Sequence, residues 1–140
     1  MYDFFQGFHK FYAYFALLLV LVAVINSFIG MFSKKEFTTK DRKIAMFGLI
    51  GAHIQLVVGL ILYFVSPRGS QAFGLMKDAT LRLTSLEHPL VNIIAIVLIT
   101  IGWSKHKRAA TSEAKFKSIS IFYALGLLLI LSRIPWSLWF

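Results

Sequence analysis

The stretch that most limits what this chain can become is IAMFGLIGAHIQLVVGLILYFV, from Ile44 to Val65. At about 1.5 Å per residue it is long enough to cross roughly 30 Å of hydrocarbon. Its only group that titrates near neutral pH is His53, with Gln55 close by. A bilayer core offers water to neither side chain. Each therefore needs a partner inside the protein or a bound ligand.

Composition extends the argument to the whole chain. Of 140 residues, 58% are hydrophobic and 16% aromatic, more than a soluble domain of this size hides. The bilayer must serve as part of the solvent. A net charge of +9 raises nucleic acid as a partner, but the basic residues sit between apolar spans and form no continuous stripe. That pattern argues against nucleic acid. The chain has no cysteine, which excludes disulfides, thiolate zinc, iron–sulfur clusters and covalently attached c-type haem. A haem here would be held by histidine, without covalent links.

Three more spans accompany the first. Residues 11–32 carry no charge and follow the aromatic belt residues Tyr2, Phe4, Phe5 and Phe8. This run is too long for a signal peptide, and no small-x-small cleavage pattern ends it. Asn26, Ser27 and Gly30 near its end suit helix–helix contact. A third span covers about 88–104. Thr84-Ser85-Leu86-Glu87 reads as a capping box that opens it, with Pro89 in its first turn. The fourth covers about 118–138, interrupted late by Arg133 and Pro135 and anchored by Trp136, Trp139 and Phe140. Asp78 and Arg82 stand at i, i+4 and predict a short interfacial helix over 72–83. The predicted fold is all-α: one integral membrane domain over 1–140, an up-down four-helix bundle with that short helix between its second and third spans.

The basic residues orient the bundle. Loops 33–43 and 105–117 hold ten of the 15 Lys and Arg. The positive-inside rule places both loops in the cytoplasm and both termini outside. In the second span Gly48, Ala52, Gln55 and Gly59 form one stripe at helical spacing. Small residues there let another backbone approach closely.

Four polar residues are candidates for chemistry: His9, His53, His88 and Arg133. His9 and His88 open their spans at the outer face. His88 and Arg133 both stand roughly 23 Å above the cytoplasmic ends of their helices, and His53 lies roughly 10 Å deeper than His88. Two imidazoles that ligate one haem iron must stand at nearly the same height on opposite sides of it. His53 with His88 satisfies this if helix tilt removes the offset; His9 with His88 is the second pairing. The histidine left over would hold a haem propionate or a quinone oxygen. Arg133 suits a propionate, because guanidinium binds carboxylate through two parallel hydrogen bonds. Each residue also has a purely structural reading. His53 would hydrogen-bond across to Asn26, Ser27 or a backbone carbonyl, as polar glue between helices. His9 would anchor at the interface, His88 would help open its helix, and Arg133 would snorkel to headgroups. His106, inside Lys-His-Lys-Arg, reads as a solvated loop residue. No HExxH, P-loop, GxGxxG or CxxCH motif occurs.

One set of residues, spread over nearly the whole chain, carries a resemblance. It comprises Phe8-His9, Ala52-His53-Ile54-Gln55-Leu56, Gly59, Leu62-Tyr63-Phe64-Val65-Ser66-Pro67, Met76-Lys77-Asp78-Ala79, Glu87-His88 and Arg133-Ile134-Pro135-Trp136. The pattern resembles the small four-span proteins of Bacteroidetes labelled cytochrome B-like. That resemblance implies a bacterial inner-membrane bundle binding haem b, with His9, His53 and His88 as the recurrent histidines. Ala13 departs from it, standing where relatives often have Arg. The functional expectation is electron transfer, with quinone as one partner class. The alternative is a cofactor-free accessory or assembly subunit of a larger membrane complex. A small transporter using His53 is a third reading, for which four spans leave little room.

Overall fold

The apolar runs fold as helices because hydrocarbon forces every backbone N–H and C=O to pair within its own segment. The computed structural model describes residues 2–67, 69 and 77–134. Among them the helices are α1 (Tyr2–Phe32), α2 (Thr39–Val65), α3 (Ala79–Arg82), α4 (His88–Arg108) and α5 (Ser112–Ser132). A single π turn, Leu83–Glu87, fuses α3 to α4 into one rod, Ala79–Arg108. Four rods are therefore long and apolar enough to cross a membrane. The chain is an all-α membrane bundle, as its composition required. Arg68, residues 70–76 and the terminal residues Pro135, Trp136, Trp139 and Phe140 lie outside the described residues.

Each rod has a local reason to start where it does. Thr38 and Asp41 cap α2 reciprocally, side chain to backbone in both directions. Thr111 Oγ1 accepts from the Ala114 N–H at the start of α5. The third rod starts earlier than the Thr84-to-Glu87 capping box predicted. Asp78 is its cap, with Oδ1 accepting from the N–H groups of Thr80 and Leu81 at 3.0 and 3.1 Å. The Thr84 hydroxyl instead donates back to the carbonyls of Thr80 and Leu81. Pro89 explains the difference. Its ring would collide with the carbonyl of Ser85, four residues earlier, so the helix widens to an i→i+5 turn. The His88 N–H reaches Leu83 O accordingly. The short helix expected at 72–83 survives in its described part as α3, but as the first turn of this rod rather than a separate element.

The rods form a ring: α1 packs on α2, α2 on α4, α4 on α5, and α5 on α1. The α2–α4 seam is the thinnest of the four. Along α1 the inward face is small, with Ala13, Ala16, Val20, Ala23 and Ser27 buried, while Phe11, Phe15, Leu18 and Ile29 face outward. Lipid tails are as apolar as leucine, so large side chains lose nothing on the outside, and small ones inside let backbones close up. At Gly126 the closeness is extreme: an added Cβ would sit 2.7 Å from Ile99 and 2.9 Å from the Ala95 carbonyl. The core cluster lies toward the basic loops, around Tyr123, Ile119 and Ile99. Tyr123 donates to the Ala45 carbonyl at 2.8 Å, tying α5 to α2 across the bundle.

Candidate functional site

In the other half of the bundle the four rods stand apart around a cavity of about 190 Å³. Its walls are mostly apolar, including Ala16, Val20, Leu56, Ile96 and Ile130. Polar side chains enter from three rods: Gln6, His9 and Lys10 from α1, Gln55 and Tyr63 from α2, and Thr84, His88 and Asn92 from the third. Few, convergent polar groups in an apolar cavity are what a small-molecule or cofactor site requires.

His9 and His88 face one another. Their ring centres are 6.2 Å apart and their planes meet at 79°. His88 is oriented by its Nδ1–H, which donates to the main-chain carbonyl of Arg133 at 2.9 Å. That bond fixes the tautomer, because a nitrogen that donates a proton cannot also accept one. The Asn92 amide, 3.1 Å from the same nitrogen, therefore spends its proton on the His88 carbonyl, 2.5 Å away. The His88 Nε2 is left with a bare lone pair. On α1, His9 Nδ1 is buried and has no hydrogen-bond partner among the described residues. Gln55 donates to the His9 carbonyl at 2.8 Å, but its own Oε1 is buried and unpaired. Buried polar atoms are almost always satisfied, so two orphans in one cavity point to a missing partner there.

Glycine makes room for this pair. The His9 ring lies over Gly59 of α2, where an added Cβ would meet its Cε1 at 3.1 Å. The small-residue stripe on α2 thus divides in function. Gly48 packs against Leu19 and Ala23 of α1, whereas Gly59 accommodates a cavity histidine.

The other candidates fall elsewhere. His53 does not line the cavity. It sits six residues, or about 9 Å, deeper than Gly59 along α2. Its Nδ1 is 2.8 Å from the Leu49 carbonyl, and its Nε2 is 3.4 Å from the Thr100 hydroxyl. Asn26, one of the partners expected for it, instead donates to Asp41 at 3.0 Å. Arg133 meets His88 through its carbonyl alone. Its guanidinium is exposed and donates to the Ser132 carbonyl. His106 is no solvated loop residue. It is 2% exposed in the last turn of α4, with Nδ1 2.6 Å from the Trp103 carbonyl and its ring against Phe37 and Trp103.

The donor set limits what the cavity can hold. Among the described residues no three His, Cys, Asp or Glu side chains cluster. Zinc prefers four such ligands, or three with a water. Two facing imidazoles suit instead a metal that brings its own equatorial ligands, as haem iron does. Two imidazoles on one metal ion, with metal–nitrogen bonds of about 2 Å, place their ring centres roughly 6 Å apart. The ring spacing agrees with that value, but the cavity of about 190 Å³ is smaller than a haem, whose ring would have to pass between the rods. Comparison with protein-family models, curated proteins and solved structures finds no match to this chain.

Proposed function

We propose that this chain is a b-type cytochrome of the bacterial inner membrane, in which His9 and His88 would hold one haem b. The single observation that carries the reading is the pair of rings, 6.2 Å apart, in a mostly apolar cavity. When bound, haem iron supplies one-electron chemistry. The chain's own residues supply the rest. The Arg133 carbonyl holds His88 in the tautomer that puts the lone pair on Nε2. Asn92 secures the backbone at His88. Gly59 leaves space for the His9 ring, and Gln55 fixes the main chain at His9. The apolar walls keep water out, which is one of the means by which a protein sets a redox potential. With the basic loops in the cytoplasm, the cavity opens in the periplasmic half, where a quinone headgroup is a suitable electron partner.

An absorption spectrum tests the proposal. Protein purified after haem-replete expression is expected to show a Soret band and a sharpened visible band on reduction. His9→Ala and His88→Ala should each lose the six-coordinate spectrum; His53→Ala should keep it. A protein with no Soret band, or one whose spectrum depends on His53 and not on His9, would refute the assignment. Colourless protein that co-purifies with larger subunits would point to the accessory-subunit alternative.

A further inference from the structure

At the end of the bundle away from the cavity the two basic loops meet. The Phe37 N–H donates to Ser112 Oγ at 2.8 Å, joining the loop after α1 to the start of α5. A cleft of about 310 Å³ opens there. Arg42 enters it from α2, Lys107 from the last turn of α4, and Lys115 from α5. Thr38 and Thr39 line it at the N-terminus of α2. No carboxylate does. The acid nearest to Arg42 in sequence, Asp41, is buried and already accepts from Lys35, Asn26 and Thr38.

Three cations thus converge with no counter-charge among the residues that line the cleft. They repel one another, and the positive end of the α2 dipole adds to the field. Yet two are held in place. The Arg42 guanidinium lies 5.7 Å over the Trp103 ring, and the Lys115 ammonium donates to the His106 carbonyl at 3.4 Å. His106 also lines the cleft, and its Nδ1 is committed to the Trp103 carbonyl. Its Nε2 is the remaining nitrogen. Cations preorganised around a concavity, beside a helix N-terminus, make a site for a multi-oxygen anion.

We propose that this cleft binds a phosphate group, with Arg42 as the bidentate partner and Lys107 and Lys115 as point charges. The phosphate is either free or the headgroup of an anionic lipid at the membrane surface, since both present the same oxygens. The site is independent of the haem assignment and lies at the opposite end of the bundle.

Trp103 touches both Arg42 and His106, so its emission reports the cleft. With Trp136→Phe and Trp139→Phe it becomes the one tryptophan in the chain. That full-length protein, in a neutral detergent, is titrated in two arms. One uses inorganic phosphate against chloride at fixed ionic strength. The other uses micelles doped with phosphatidylglycerol, against phosphatidylcholine. A saturable shift with phosphate alone assigns a free anion; one with phosphatidylglycerol alone assigns a lipid headgroup. Lys107→Gln with Lys115→Gln should raise the half-saturation point at least tenfold, and so, to a lesser degree, should Arg42→Lys, which keeps charge but loses the fork. Lys34→Gln with Lys40→Gln, off the cleft, should change it less than twofold. Circular dichroism confirms that each variant is helical. No saturable response in either arm, an equal response to phosphatidylcholine, or equal losses in the cleft and off-cleft variants would overturn the proposal.

Discussion

The two halves of the bundle are built from the same apolar alphabet but finished differently. Toward the basic loops, Tyr123, Ile119 and Ile99 are fully buried, and the carboxylate of Asp41 has a donor on each oxygen. Toward the termini, the rods separate around a cavity, a π turn interrupts the third rod, and His9, Gln55 and Ser85 leave buried atoms unpaired. A membrane bundle gains no hydrophobic driving force between its helices, so tight packing and hydrogen bonds must hold it. The sealed half does that work, and the other half is thereby free to keep unsatisfied groups for a ligand. Among the described residues the unpaired buried polar atoms are confined to one end, which makes that end the candidate site.

The largest expected effect tests the division directly. Ile99→Ala, at a fully buried position, should cost about 3 kcal/mol, because the lost packing leaves a void the core cannot refill. Leu56→Ala lines a cavity that already exists, so it should cost only about 1 kcal/mol, the packing contacts of a half-buried side chain. Denaturant unfolding in mixed micelles measures both. Equal losses would mean that the two halves are not distinct. Next in size is Asp41→Ala. It removes an N-terminal cap and the acceptor of Asn26 and Lys35, and should cost about 2 kcal/mol in the same assay. A loss below about 0.5 kcal/mol would make this network no better than an exposed ion pair.

Much of the sealed half was legible in the sequence, because length and hydropathy alone decide whether a segment crosses a bilayer. The shared level of His88 and Arg133 also followed from counting residues along straight helices, and the two residues do meet. Which atom of Arg133 takes part did not follow, since a guanidinium draws attention and a main-chain carbonyl does not. His106 was hidden by its neighbours: Lys-His-Lys-Arg looks solvated. The signal that finds it is phase. Ala95, Ile99, Gly102 and His106 recur at helical spacing, and all four are buried on one face of α4. That His9, and not His53, faces His88 needed the tertiary structure. It turns on which helices face across the bundle and on the space above Gly59, and no local pattern encodes either. The Asn26–Asp41 contact, made across a turn, was invisible for the same reason.

The smallest expected effect has the opposite sign from the others. Ser85 lies in the π turn, 1% exposed, with its Oγ unpaired among the described residues. A buried hydroxyl without a partner costs its desolvation and returns nothing. Ser85→Ala removes that cost and also favours a helical backbone by a few tenths of a kcal/mol. The turn itself should persist, because Pro89 imposes it. The variant should therefore be more stable, by about 0.5–1 kcal/mol, the reverse of Asp41→Ala at the sealed end. If Ser85→Ala instead destabilises the apoprotein, the hydroxyl has a partner of its own and the unpaired atoms shrink to those of the cavity, His9 and Gln55. If it destabilises only the haem-loaded protein, the hydroxyl belongs to the support of His88, three residues along the same widened turn.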